Sequence, residues 1–379
     1  MKILMLNYEY PPLGGGAAPV TKSLAEELVH LGHEVDVVTM GYKTLPREEV
    51  IHGVQIYRVR SIRKKLEMCT SHEMLSYCIS ATRFLPGLLN ENNYDINHTH
   101  FIIPTGIVSS LYYKRIPYII TTHGSDVPGY NPDRFQFQHY LFKPFSNMVL
   151  NRASCITSPS IYLKEKILKN FGERKVEIVP NGLSVESYHP RTKENKILTV
   201  SRLFERKGIQ YVIEAMAGIE GFEYTICGDG PYKPYLERQI ERLNLGHKVK
   251  LCGYLEQDQL IRQYESASVF VLPSSSENFP MVLMEAMAAG CAIVTSDATG
   301  CAEVVGDTAL LVRQKDSKGI QEALLTLLHD RDLQRDLAMR ARARVEREFG
   351  WSRVAGKYVH IYERVLERGQ AGFVIPPLH

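Results

Sequence analysis

The sequence predicts an α/β fold of two doubly wound parallel-sheet domains, and three observations carry that reading. Short β-branched runs alternate with amphipathic helical stretches, the pattern of parallel strands covered by helices on both faces. The alternation pauses at Pro180-Asn181-Gly182 and the polar stretch Arg191 to Lys196, then begins again. The chain is 379 residues long, more than one core of about 100 to 200 residues holds.

In the first domain the pattern places strands at Lys2 to Asn7, Glu34 to Met40, Tyr118 to Thr122, Ser154 to Ser158 and Val176 to Val179. A helix around Pro19 to Leu31 is closed by Gly32, where a C-terminal cap belongs. The second domain has strand candidates at Ile197 to Val200, Glu223 to Cys227, Lys248 to Cys252, Val269 to Leu272, Ala292 to Thr295 and Ala309 to Val312. Charged helix follows Asp330, and Trp351 to Arg368 puts Trp351, Val354, Tyr358, Ile361, Tyr362 and Val365 on one face. The expected segments are 1–185, 186–350 and 351–379, with Arg191 to Lys196 as the candidate linker.

In open α/β sheets ligands sit outside the carboxyl ends of the strands, so residues just after strands are the informative ones. After the first strand comes Pro11-Pro12-Leu13-Gly14-Gly15-Gly16, leading into a helix, where glycines let amides approach an anion. Pro19 stands where a dinucleotide fingerprint would need its third glycine, and a plain turn is the alternative. Cys227-Gly228-Asp229-Gly230-Pro231 is a second such turn and equally incomplete. Ser201-Arg202-Leu203 with Lys207-Gly208 offers a planar guanidinium and a mobile ammonium for a diphosphate, or else a solvated basic loop.

Glu277 and Glu285 are eight residues apart, which on a helix is about 12 Å, too far for a carboxylate dyad but suited to the two ends of a long ligand. Glu277 alternatively caps the helix. Glu285 lies among Leu283, Met284, Ala286, Met287 and Ala288, and a carboxylate buried there needs a partner.

Glu277 to Glu285, continued by Ala286-Met287-Ala288-Ala289-Gly290, resembles the E-x(7)-E motif of retaining glycosyltransferases of family 4. Ser201-Arg202-Leu203, Lys207-Gly208, Gly228-Asp229-Gly230, Pro180-Asn181-Gly182, His123-Gly124-Ser125-Asp126 and the Pro-Pro-x-Gly-Gly start are similar to that family in kind and order. The resemblance implies the GT-B architecture, two Rossmann-like domains facing across a cleft, with the last helix crossing back to the first domain. It implies a metal-independent hexosyltransferase using a UDP- or GDP-sugar, with no cofactor and a glycan, lipid-linked or small-molecule acceptor. By position, Glu285 would hold the ribose, Arg202 and Lys207 the diphosphate, and Glu277 with the amides of Phe279 to Val282, including Met281, the sugar. Gly15 and Gly16 would approach the phosphates, Gly253 and Tyr254 the base, and His123 the sugar near the reacting centre. Asn278 and Pro280 depart from the common pattern, where Gly is frequent after the first Glu.

The rest of the sequence narrows the alternatives. Apolar residues at 44% and charged residues at 23% are ordinary for a globular protein and exclude a disordered or collagen-like chain. The net charge, 45 − 42 = +3, is too small for a nucleic-acid binder. Seven cysteines without a Cys-x-x-Cys pair read as reduced thiols, and the chain as cytoplasmic with no membrane span. His98 and His100 have a spacing that suits a metal, but a strand end with His100 facing the cleft is the preferred reading. Arg58, Arg60, Arg63, Lys64 and Lys65 offer a peripheral contact with anionic membrane, or a solvated loop. Two other classes stand beside the transferase: a nucleotide-sugar-binding protein without turnover, and a dinucleotide-dependent oxidoreductase, against which the incomplete glycine fingerprints count.

Overall fold

A computed structural model of the chain describes residues 1–66, 68–130 and 136–371. It divides into two units, Met1–Gly182 with Trp351–His379, and Leu183–Gly350. Residues 372–379 of the expected last segment lie outside the described residues.

The first unit runs β1 (Lys2–Leu6), α1 (Ala17–His30), β2 (Glu34–Met40), β3 (Glu48–Ile51), β4 (Val54–Val59), α2 (Ser71–Glu91), β5 (Ile96–His100), α3 (Thr105–Leu111), β6 (Tyr118–Thr121), α4 (Gln136–Arg152), β7 (Cys155–Ser158), α5 (Ile161–Phe171) and β8 (Val176–Ile178). Its eight strands lie in the order β3-β4-β2-β1-β5-β6-β7-β8, parallel apart from the β3–β4 pair. Strand order reverses between β1 and β5, so the loops after these two strands splay apart and leave a crevice at their carboxyl ends.

The second unit repeats the plan with β9 (Glu194–Val200), α6 (Ile209–Ala215), β10 (Glu223–Cys227), α7 (Lys233–Arg242), β11 (Val249–Gly253), α8 (Gln257–Ser266), β12 (Ala267–Leu272), α9 (Met281–Ala288), β13 (Ala292–Ser296), α10 (Gly300–Val305), β14 (Leu310–Val312), α11 (Ser317–His329) and α12 (Arg331–Phe349). Its six parallel strands run β11-β10-β9-β12-β13-β14, and the reversal lies between β9 and β12. The closing helix α13 (Trp351–Ala371) returns to the first unit. Val354, Tyr358, Ile361, Tyr362 and Val365 are all buried there with Leu24 and Leu28 of α1.

Two differences from the sequence reading have physical causes. Strand β9 starts at Glu194, inside the stretch read as a linker, because its ladder to β12 begins with Glu194 opposite Ala267 and its ladder to β10 with Lys196 opposite Glu223. Such a polar strand end carries no apolar period. The β3–β4 hairpin, turning at His52-Gly53, was not anticipated, and it takes Arg58 inward. Arg58 is buried, ion-paired with Glu49 and hydrogen-bonded to the Pro46 carbonyl at 3.1 Å. Arg63 is buried as well, so two of the five cations proposed for a membrane contact hold the fold together instead. Arg60, Lys64 and Lys65 are exposed. No helix among the described residues is long and apolar enough to cross a membrane.

Candidate active site

In the second unit the reversal point assembles the charged groups. The loop after β9 and the loop after β12 are laced together, with the Ser275 amide donating to the Arg206 carbonyl at 2.8 Å and the Ser274 hydroxyl donating to the same oxygen at 3.2 Å. That lacing sets the Lys207 ammonium against the Glu277 carboxylate as an ion pair with both side chains largely buried. Arg202 is exposed and lies over the Phe204 ring, with Arg206 over the same ring, at 5.3 and 5.0 Å. The negative face of the ring attracts both guanidinium groups. Gly228 and Gly230 press against this loop: a Cβ on Gly228 would sit 1.9 Å from the Ser201 carbonyl oxygen, so only glycine allows the approach.

Helix α9 begins after Pro280, and its first-turn amides, including those of Met281 and Val282, have no carbonyl within the helix to bind. Phe279 is different. Its side chain is buried edge-on against Phe349 at 5.5 Å, so only its backbone is available to a ligand. The partner that Glu285 needs is Tyr264, whose hydroxyl donates to Oε2 at 2.7 Å. Burial holds the Glu285 carboxyl above its ordinary range, against the opposing effect of that hydrogen bond. Gly253 ends β11, its carbonyl accepts the Gly228 amide at 2.7 Å, and Tyr254 beside it is exposed.

In the first unit the glycine loop after β1 has an internal brace. Glu9 is buried and paired with Arg63 at 3.2 Å, and its other oxygen accepts the Gly15 amide at 3.3 Å. Arg63 also donates to the Leu66 carbonyl at 2.8 Å. The Gly15 amide is therefore already engaged. A Cβ on Gly15 or Gly16 would meet nothing within 4 Å, so nothing within the chain requires glycine there.

His123 follows β6, and its loop is pinned by Asp126, which accepts the amides of His123 and Gly124 at 3.0 Å and of Ile102 at 2.9 Å. Three imidazoles form a column, His98 on His100 with centroids 4.5 Å apart and His100 on His123 at 5.2 Å. Nδ1 of His100 lies 3.0 Å from Nε2 of His123. Burial pushes His98 and His123 down to about 3, and His100 well below its ordinary value, so all three are neutral at pH 7. His98 uses both ring nitrogens, on Tyr362 at 2.6 Å and Thr121 at 2.7 Å, which leaves it no lone pair for a metal. His100 is fully buried, contrary to the expectation that it faces a cleft.

The two halves of the chain match two family models in succession, Glycosyltransferase Family 4 over residues 14–187 and Glycosyl transferases group 1 over residues 184–344. An uncharacterized glycosyltransferase of Methanocaldococcus jannaschii is 32% identical, across 97% of this chain and 99% of its own. The chain belongs to glycosyltransferase family 4. Sucrose-phosphate synthase from Thermosynechococcus elongatus has the same fold, with a TM-score of 0.81 and 23% identity, over 97% of this chain and 99% of that one. Anabaena HepE, solved with UDP and glucose, has a TM-score of 0.76 and 19% identity, over 96% of this chain and 100% of that one. The glycosyltransferase thus has the GT-B fold.

Three residues of this glycosyltransferase escaped the sequence reading. Tyr264 carries no motif and sits 21 positions from the carboxylate it serves. Asp126 lies within His123-Gly124-Ser125-Asp126, yet its hold on the Ile102 amide, 24 positions away, exists only in the folded chain. Thr299 adopts φ 59° and ψ −153°, a backbone region open chiefly to glycine. Its hydroxyl accepts the Glu277 amide at 3.1 Å, and the Gly300 amide donates to the Glu277 carbonyl at 3.0 Å. A Cβ on Gly300 would fall 1.6 Å from the Asn278 carbonyl oxygen, so the start of α10 clamps the Glu277–Asn278 backbone.

Proposed function

We propose that this glycosyltransferase moves a hexose-type sugar from a UDP- or GDP-sugar to an acceptor hydroxyl, with retention of anomeric configuration and without a metal. The observation that carries the reading is the placement of Arg202, Lys207 and Glu277 on two laced loops at the strand-order reversal of the second unit. Arg202 and Lys207 meet the diphosphate, Glu277 and the first amides of α9 hold the sugar, and Glu285 binds the ribose. Gly253 and Tyr254 lie against the base.

The chemistry follows from charge. Breaking the anomeric C–O bond leaves positive charge on the sugar and negative charge on the departing diphosphate. Cations fixed before reaction lower that barrier because they need no reorganisation as charge develops. Lys207 starts paired with Glu277, and a diphosphate exchanges one anion for another at its ammonium, freeing the Glu277 carboxylate for sugar hydroxyls. Neutral His123 serves the sugar as a hydrogen-bond partner rather than as a second cation. Gly15 and Gly16 approach the phosphates, with Gly16 and open space contributing more than the Gly15 amide that Glu9 holds. Catalysis takes place in the cytoplasm on this reading, and any contact with anionic lipid falls to Arg60, Lys64 and Lys65. Co-sedimentation with phosphatidylglycerol vesicles, lost in a variant with all three changed to Ala, tests that contact.

The deciding experiment is thermal shift with UDP, GDP, ADP and NAD, each with and without EDTA, followed by NMR of the anomeric proton in the product. Stabilisation by UDP or GDP that survives EDTA, with a retained anomer, supports the reading. Stabilisation by the nucleotide without turnover of any sugar donor would leave a binding protein, and dependence on a divalent ion would remove metal independence.

A further inference from the structure

The first unit holds an open-mouthed cavity that none of the donor-side residues uses. Its volume is about 160 Å³, and Met74, Leu75 and Cys78 of α2, Ile103, Ile107 of α3 and Phe142 of α4 supply its apolar wall. The α2 residues fall at helical spacing on a single stripe. The opposite face of the same helix binds the 60–64 segment, where Ser76 accepts the Ile62 amide at 3.0 Å and Ser80 donates to the Arg60 carbonyl. One side of α2 is therefore committed to its own loop and the other is open to a guest.

Two features tie the cavity to the reacting end of the unit. Ser125 and Asp126 of the His123 loop line it, and Tyr8, also on its wall, contacts Phe101 at 5.1 Å, which in turn contacts the His123 ring at 4.6 Å. The one carboxylate among the described lining residues offers little to water, since Asp126 spends its oxygens on the Ile102, His123 and Gly124 amides. Apolar surface continues outward from the cavity on the same two helices, with Leu75 and Ile79 exposed a turn apart on α2 and Phe142 and Phe145 in ring contact on α4. A packing defect would have no reason to be extended in this way at its mouth.

We propose that this cavity binds the apolar part of the acceptor, an alkyl or aryl group whose hydroxyl end reaches His123. The inference rests on the transferase reading above and narrows its acceptor to a molecule with a hydrophobic portion. An apolar cavity of about 150 Å³ has room for a benzene ring, so roughly six carbons fit inside, and a longer chain runs out through the open mouth along Leu75 and Ile79. In the transfer, the alcohol oxygen bonds to the anomeric carbon as the anomeric bond to the diphosphate breaks. The alcohol proton leaves with the diphosphate.

The test uses the full chain and primary alcohols from butanol to octanol as probes, with binding followed by ligand-observed NMR. Kd should fall about fourfold per methylene up to roughly six carbons and less steeply beyond. Ile107→Trp on α3 and Cys78→Phe on α2, which fill the cavity from two different helices, should flatten that dependence while each keeps a cooperative melt and the wild-type shift with nucleotide. With the sugar donor that turns over, mass spectrometry should find hexyl glycoside formed faster than methyl glycoside. Affinity independent of chain length, or a dependence that survives both filled variants, overturns the cavity. Equal rates with methanol and hexanol overturn its assignment to the acceptor. Loss of the nucleotide shift in the unaltered protein strikes the transferase reading alone, because the alcohol series reports on the cavity separately.

Discussion

Two sheets that share one central strand order use their polar residues differently. At the reversal point of the second unit, Arg202, Lys207 and Glu277 are charged and gathered on loops. At that of the first unit Glu9 pairs with Arg63 beneath the glycine loop much as Glu277 pairs with Lys207, but no exposed guanidinium stands beside that pair among the described residues, and His98 and His100 are neutral under the sheet end. Strand order dictates where a site is, and burial dictates what that site can offer. The second unit offers charge to the proposed diphosphate, whereas the first offers neutral rings and an apolar cavity to the proposed acceptor.

Acid should separate the two units most strongly. His98 and His100 have folded values far below the 6.5 of an unfolded histidine, so the unfolded chain binds more protons once pH falls below that value. Stability is full above pH 6.5 and declines as pH falls below it, toward about pH 3 for His98, by roughly 1.4 kcal/mol per pH unit for each ring that must take up a proton on unfolding. Hydrogen exchange at pH 5 against pH 7 should show protection lost across β5, β6 and α13 before β9 and β12; equal loss in both units would break the contrast.

Lys207→Ala comes next in size. Removing one preorganised cation should lower kcat/KM by about 10²- to 10³-fold, measured by steady-state kinetics with the donor found above, and an unchanged value would take Lys207 out of the site.

Tyr264→Phe sharpens the comparison within the charged unit. Without the hydroxyl, Glu285 loses the one hydrogen bond that opposes its burial, so its carboxyl moves further up and is protonated more at low pH. Donor KM should rise by roughly tenfold, and more at pH 6 than at pH 8, with kcat less affected. A pH-independent rise would mean that Tyr264 only packs.

The smallest expected effect is at Thr299. Thr299→Gly relieves an unfavourable backbone while deleting the hydroxyl that holds Glu277, so the melting temperature should hold or rise while kcat falls a fewfold. Thr299→Ser should restore kcat. Recovery by neither, or a fall in both melting temperature and kcat for the glycine variant, would make Thr299 a purely structural residue.

Much of this was legible along the chain because it is local. Strand Glu34–Met40 and the buried face of α13 follow from apolar periodicity alone, and Gly32 follows Leu31 where the helix had to stop. Glu285 could be read as needing a partner, since a carboxylate among methionines and alanines has no other way to be there. Its partner could not be read, because Tyr264 comes from a neighbouring helix and any polar side chain with sufficient reach would have met the need. The basic run misled for a related reason. Arg58 and Arg63 are indistinguishable from Arg60 by composition, yet the strand alternation of β4 and the brace to Glu9 turn them inward.

By itself, then, the sequence determined the two parallel-sheet units, their order, the strand ends that carry Arg202, Lys207, Glu277 and His123, and the family those residues mark. All of these are set by side-chain period and by short-range spacing, which the chain displays directly. Only tertiary structure decided which charges are free and which are spent: the Lys207–Glu277 pair, the Glu9–Arg63 brace, the neutral histidine column and the cavity beside it. The column and the cavity draw on several elements of the first unit. The two ion pairs join groups 70 and 54 positions apart where water is largely excluded, and the energy of a charge depends on that surrounding far more than on the residue that bears it.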